Sequence, residues 1–371
     1  MKYYIVAGEA SGDLHGSNLI RQLHHFDSTA DIRCWGGAMM QSAGATVVKD
    51  YKELAFMGFV EVVMNLGTIL KNIKFCKQDI ASFNPDVLIL IDYPGFNIRI
   101  AEWAKKQGIK TVYYISPQIW AWKENRVHTI KKCVDKMLVI LPFEKDFYSK
   151  WDYKVEYVGH PLVEVIETFK ASHKQTIAKT ANIIALLPGS RKQEITTKLP
   201  VMLEVSKAFP NYQFIVAKAP GQEDSFYEPF LAPYKNVAAW GGKTYELLNT
   251  AAAALVTSGT ATLEAALFGV PEVVCYKGNS ISYQIAKRVI KVKYISLVNL
   301  IMNKAVVKEL IQDEMTTENC RKELTELLQN PFRKQQLQQD YTKLKDLLSQ
   351  GGNASDNAAR IVYEFAKQPR A

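Results

Sequence analysis

The sequence predicts an α/β protein made of two Rossmann-like, doubly wound domains with parallel sheets, facing each other across a cleft. Three observations carry that expectation. Short strands alternate with longer helical patterns along all 371 residues. The strands are apolar throughout rather than alternating, as in parallel sheets covered by helices on both faces. The series also stops at the polar stretch "VEVIETFKASHKQTIAKTAN" and then restarts, and a chain of this length usually exceeds one core.

The first strand, Tyr3 to Ala7, runs into Gly8, Gly12 and Gly16, with a helical pattern from near Leu14. Dinucleotide folds put a phosphate loop here, but the spacing is G-x-x-x-G-x-x-x-G rather than G-x-G-x-x-G. Glu9 and Asp13 would meet a pyrophosphate as like charges. Next, "FMGFVEVVMNLGTILKNIKFCK" places Phe59, Val62, Val63, Leu66, Ile69, Leu70 and Ile73 on one helical stripe, widened by Val60 and Met64, with Lys71, Lys74 and Lys77 nearby. Such a stripe either faces a core or lies in a lipid interface.

Val87 to Ile91 is a fully apolar strand ending at Asp92, where a charge is costly unless it is paired or faces a cleft. Asp92 is therefore a general-base candidate, or else it caps the turn before Pro94. After the strand Thr111 to Ile115 come Ser116, Gln118, Trp120 and Trp122, aromatics that stack on sugar rings or fill the core. A further strand spans Met137 to Leu141.

The second series opens with Ile183 to Leu187 and "PGSR". Gly189 and Ser190 form the turn, and Arg191 at a helix N-terminus suits phosphate, or is an exposed arginine after an ordinary turn. Strands follow at Phe214 to Ala217, Ala253 to Val256 and Val273 to Tyr276. Between the last two, Ser258, Gly259, Thr260 and Thr262 open a helix whose free N–H groups, hydroxyls and partial positive charge make an anion site, unless Ser258 and Thr260 are simple caps. Glu264, one turn inside, could accept hydrogen bonds from ribose hydroxyls. From Glu318 the pattern is helical, broken at Gly351-Gly352, with a last helix from about Ala354 to Lys367.

Lysine and arginine number 46 against 37 acidic residues, and the net charge of +9 calls for an anionic partner: a phosphorylated substrate, nucleic acid or an anionic membrane. The five dispersed cysteines, without a CxxC pair, argue against a disulfide framework or zinc knuckle and fit a reducing, cytoplasmic setting. The apolar start ends at Gly8, unlike a signal peptide, and no run of about 18 apolar residues could span a bilayer. Metal-ligand motifs are missing. His24-His25 reads as exposed on the first helix, while His15 and His160 fall in turn segments expected to face the cleft.

Taken in order from residue 8 to residue 362, "GEASGDLHG", "MGFVEVV", "DYPGFN", "SPQIWAW", "LPFEKDFY", "VGHPL", "LLPGSR", "TSGTATLE", "VNLI" and "ASDNAARIV" resemble the lipid-A-disaccharide synthase family. The resemblance implies a GT-B fold: residues 1–165 hold acceptor and membrane, residues 166–350 hold the UDP-sugar, and the helix in 351–371 packs back on the first domain or swaps with another protomer. It also implies inverting transfer of 2,3-diacylglucosamine from its UDP derivative to the 6-hydroxyl of 2,3-diacylglucosamine 1-phosphate (lipid X), without cofactor, divalent metal or nucleic acid, at the inner face of the inner membrane.

By the same resemblance Asp92 is the base and Arg191 stabilises departing UDP. Gly189, Ser190, Tyr276, Ser258, Gly259, Thr260, Ala261, Glu264, Asn299 and Gln312 bind the donor. Glu9, Ser11, Gly12, Asp13, His15, Ser116, Gln118 and Trp120 face the acceptor, and Met57, Phe59, Val60, Val63, Leu66, Ile69, Leu70, Lys71 and Lys74 touch the membrane. The chain departs from the family at Gly95, where a second acidic residue is common, which leaves Asp92 alone or with Glu9, Asp13 or His15; Glu164 stands where aspartate is common. Other expectations are a different UDP-sugar GT-B enzyme, such as an N-acetylglucosaminyltransferase acting on lipid-linked muramyl peptide or a UDP-N-acetylglucosamine 2-epimerase, and a non-catalytic nucleotide-sugar binding protein.

Overall fold

A computed structural model describes residues 1–54, 66–173, 182–279, 283, 288 and 292–369. The chain forms two compact units, Met1–Pro161 with Leu348–Ala371, and Leu162–Leu347. Among the described residues no helix is long and apolar enough to cross a membrane.

Among the described residues the first unit holds seven strands: β1 (Lys2–Ala7), β2 (Asp31–Gly36), β3 (Thr46–Asp50), β4 (Val87–Ile91), β5 (Thr111–Tyr114), β6 (Lys136–Val139) and β7 (Glu156–Tyr157). They pair in the order β3-β2-β1-β4-β5-β6-β7, parallel throughout. Every residue of β4, "VLILI", is buried, and burying each such side chain contributes about 1.5–3 kcal/mol. β2 and β3 were not legible as strands because they carry charge. Arg33 of β2 is satisfied by a two-pronged bond to Asp79 of the helix Leu66–Phe83, at 2.9 and 2.6 Å.

The first helix spans Ala10–Phe26 and so begins before Leu14, because the Asp13 N–H already bonds the Glu9 carbonyl at 3.0 Å. Its glycines serve packing. A Cβ on Gly12 would sit 3.0 Å from the Ala7 Cβ, so glycine lets the helix lie close on β1. The helix Ala354–Lys367 packs on this first helix: Phe26 and Tyr363 stack at 5.9 Å. Lys110 Nζ donates to the carbonyls of Phe365 and Ala366 at its C-terminus, where a cation is favourable.

The second unit holds β8 (Ile183–Leu187), β9 (Gln213–Lys218), β10 (Val237–Gly241), β11 (Ala253–Thr257), β12 (Glu272–Tyr276) and β13 (Lys308–Ile311), in the parallel order β10-β9-β8-β11-β12-β13. In both sheets the strand order reverses beside the first strand. The reversals lie between β1 and β4 and between β8 and β11, and it is at such a switch point that open α/β sheets bind ligands.

Candidate active site

At the switch point of the first unit the register sets Ala7 opposite Ile91, so Gly8-Glu9 and Asp92-Tyr93 leave the sheet side by side. Asp92 and Tyr93 both have positive φ, 44° and 50°, and Ile115, just beyond β5, has 66°. Non-glycine residues held this way store strain that clusters at functional sites. The Asp92 carbonyl accepts from Tyr113 Oη at 2.5 Å and from Asn97 Nδ2 at 2.8 Å. The buried Asn97 amide also donates to the Ile91 carbonyl at 3.1 Å and the Val6 carbonyl at 3.4 Å, joining the ends of β1 and β4. Burial first, then the charge of Glu9, push the Asp92 carboxyl up to about 7. Gly8 has no room for a side chain, because the Tyr93 ring fills the place. Gly95 is exposed and has open space around it.

Other residues expected to face the acceptor are held differently. Asp13 is 3% exposed and accepts the N–H groups of Gly37, Met40 and Met39 at 2.8, 3.1 and 3.2 Å, so its carboxylate caps the helix Ala38–Ser42. His15 lies inside the first helix rather than in a turn. Burial pulls it down to about 4, and its Nδ1 has no hydrogen-bond partner among the described residues. His160, just before the helix Pro161–Ser172, is buried near His15 and lowered to about 3. His25 is exposed and His24 half-buried; Ser11 and Gln118 are exposed.

Trp120 does not offer a stacking face. It is buried edge-on against Phe143 at 4.9 Å, and its indole N–H donates to Glu144 at 3.2 Å, so it fills the core. Glu144 also accepts from the Leu141 N–H at 3.0 Å, and burial raises its carboxyl to about 7. Ser116 is buried, 2.7 Å from the Tyr148 hydroxyl. The exposed aromatic of "SPQIWAW" is Trp122, with Lys123 Nζ 4.4 Å from its ring centre.

In the second unit Leu187 pairs with Val256, so "PGSR" emerges beside Thr257-Ser258. Gly189 has a φ of +127° and passes close to Glu194, where a side chain would collide. Arg191 is the N-cap residue of the helix Lys192–Val205; its guanidinium is 57% exposed and lies 3.4 Å from Glu194. Ser190 is exposed.

Gly259, with a φ of +141°, opens the helix Thr260–Leu267, and among the described residues no side chain caps its first turn. The hydroxyls are thus not caps. Ser258 Oγ donates to the Ile295 carbonyl at 2.8 Å and fastens the turn to a neighbouring loop. Thr260 is exposed and Ala261 half-buried. Glu264 is half-buried, its carboxyl raised by burial, and accepts from Tyr245 Oη at 3.2 Å. Tyr276 is half-buried at the end of β12.

Asn299 and Gln312 are occupied by the loops. The Asn299 amide accepts from the N–H groups of Val306 and Val307 at 2.8 and 2.9 Å and donates to the Val307 carbonyl and Glu309, both at 2.9 Å. That uses all four of its bonding positions. Gln312 Oε1 accepts from the Gly278 N–H at 3.0 Å.

On the helix Leu66–Phe83 the expected stripe divides. Ile73 is buried and Ile69 half-buried, whereas Leu70 is 54% exposed and Lys71 and Lys74 are exposed. Met57, Phe59, Val60 and Val63 lie outside the described residues, as does the Leu66 side chain. Among the described residues no three His, Cys, Asp or Glu side chains gather as a metal site.

Sequence reasoning missed Asn97, Tyr113, Glu144 and Tyr148, although "DYPGFN" and "LPFEKDFY" contain three of them. A buried lysine, Lys198, also escaped notice; its Nζ donates to Thr257 Oγ1.

A family model described as lipid-A-disaccharide synthetase matches residues 3–362. The chain is 39% identical to the lipid-A-disaccharide synthase of Geobacter metallireducens, covering 99% of this chain and 97% of that protein. It is 38% identical to that of Geobacter sulfurreducens, covering 97% and 96%. Among solved structures it is similar to the UDP-GlcNAc 2-epimerase of Neisseria meningitidis bound to UDP-GlcNAc, with a TM-score of 0.67 at 15% identity over 98% of this chain and 99% of that one. It is likewise similar to the calicheamicin glycosyltransferase CalG4, with a TM-score of 0.62 at 15% identity over 100% and 99%.

Proposed function

Since the chain belongs to the lipid-A-disaccharide synthetase family and is a hexosyltransferase of lipid A disaccharide synthesis, we propose that its two switch points divide one transfer reaction. The donor is UDP-2,3-diacylglucosamine and the acceptor 2,3-diacylglucosamine 1-phosphate. Asp92 takes the proton of the acceptor 6-hydroxyl as that oxygen attacks the anomeric carbon from the face opposite UDP. The new β-1,6 bond forms while the bond to the UDP oxygen breaks, and UDP leaves with its electron pair.

Arg191 and the uncapped N–H groups of the helix Thr260–Leu267 take the growing charge of the diphosphate. Glu264, oriented by Tyr245, accepts from the ribose hydroxyls. Ser258, Asn299 and Gln312 act by holding the loops in shape, and Glu9 and Ser11 meet the acceptor sugar. Asp13, His15, Ser116 and Trp120 support that rim from the interior. The enzyme works at an anionic bilayer surface, a reading supported by the exposed Leu70, Lys71, Lys74 and Phe75 on one helix.

The observation that carries this reading is the raised carboxyl of Asp92 at the switch point of the first unit. The test offers the purified protein the diacylated acceptor with either UDP-2,3-diacylglucosamine or UDP-N-acetylglucosamine. Disaccharide and UDP should form only with the acylated donor. Turnover of the unacylated donor alone, by transfer or epimerisation, would overturn the proposal.

A further inference from the structure

Lys198 is 2% exposed. It stands on the helix Lys192–Val205, whose N-cap residue is Arg191, and its Nζ donates to the hydroxyl of Thr257, the last residue of β11. It therefore links the two strand-to-helix turns of the second switch point from beneath, with Pro188 to Arg191 on one side and Ser258 to Thr260 on the other.

A buried ammonium is costly unless its charge is compensated and its three protons are bonded. Among the described residues Thr257 Oγ1 is its one hydrogen-bond acceptor, and no carboxylate lies within ion-pair distance. Glu194 is near enough to favour the charged form, but it lies against Gly189 and Arg191. Burial consequently pulls the Lys198 ammonium below its ordinary value. An under-compensated cation beneath an uncapped helix N-terminus is an arrangement that an incoming anion completes.

Resting on the donor-site reading above, we propose that Lys198 is a positioning residue for the donor diphosphate. Its buried charge, fixed by Thr257, makes the turn Ser258–Thr260 selective for a phosphorylated nucleoside over the bare nucleoside. Lys198 reaches the ligand through Thr257 and the turn, so its effect scales with the negative charge of the ligand and leaves uridine recognition alone.

The experiment is calorimetric titration of the full-length protein with UDP and, separately, with uridine. The variants are Lys198→Met, Lys198→Gln, which keeps a donor for Thr257, and Lys198→Arg, which keeps the charge. UDP affinity should fall about 10- to 100-fold in Met and Gln, the range of a lost charge-assisted bond, while uridine affinity stays within twofold and Arg recovers most of the loss. Should Met fail to fold, Gln carries the same comparison. Equal losses for UDP and uridine, or UDP affinity unchanged in Gln, would overturn the role of Lys198. Failure of the unaltered protein to bind UDP would instead remove the donor-site reading, and this proposal with it.

Discussion

Glu9 and Asp92 lie just beyond the ends of the neighbouring strands β1 and β4, and the negative charge of Glu9 adds to burial in holding a proton on Asp92 up to about pH 7. A base must be ionised to act, so kcat/KM should rise as pH increases through about 7. Glu9→Gln removes the second contribution and should move that midpoint toward lower pH, whatever it does to the plateau. The check is a pH–rate profile of both proteins; an unmoved midpoint would mean that Glu9 does not influence the base.

Asp92→Asn should reduce turnover by about 10² to 10⁴, the usual contribution of a positioned base, and leave UDP affinity intact. The same change should raise the thermal midpoint at pH 8, because the folded protein no longer holds an ionised carboxylate in a half-buried place. Activity lost together with stability would point to a structural aspartate.

Asn97 joins the ends of β1 and β4 through the carbonyls of Val6, Ile91 and Asp92. Asn97→Ala leaves those carbonyls without their shared donor and should cost about 1–3 kcal/mol in denaturant unfolding. Because it also frees the strained Asp92-Tyr93 turn, kcat should drop by up to about 100-fold with KM for the donor nearly unchanged.

The strands read correctly from sequence were the ones buried on both faces, such as β4 and β11, where composition alone specifies the environment. β2, β3, β10 and β13 escaped because they mix charged or small residues with apolar ones, as Asp31, Arg33, Lys49, Gly241 and Lys308 do. Asp92 stood out because a charge ending an apolar strand is anomalous, and it lies at the switch point of the first sheet. Asn97, Tyr113 and Lys198 look ordinary in their own elements and gain meaning only when the parallel register brings distant segments together. Trp120 and Asn299 show the converse: motif position suggested ligands, and their partners are the protein itself.

Glu144 supplies a second pH effect, on stability. Its folded value of about 7 lies above the ordinary 4.5, so the folded protein binds this proton more tightly than the unfolded chain. The resulting stability is complete below pH 4.5 and lost as pH rises through about 7, by roughly 3 kcal/mol. Urea unfolding of Glu144→Gln from pH 4 to 8 should show a shallower decline than that of the unaltered protein.

The helix Leu66–Phe83 puts Leu70 and Phe75, 54% and 43% exposed, on the surface beside the exposed Lys71 and Lys74. Exposed apolar side chains next to cations suit the headgroup region of an anionic bilayer, where each lysine near the surface contributes about 1 kcal/mol. Since these four side chains are largely outside the core, Leu70→Glu with Phe75→Glu, and separately Lys71→Glu with Lys74→Glu, should leave the thermal midpoint within a few degrees. Both double variants should bind phosphatidylglycerol-containing vesicles at least about tenfold more weakly, and the lysine pair should lose its effect at high salt while the apolar pair keeps it. Vesicle binding equal to that of the unaltered protein in both variants would make this face a solvated one.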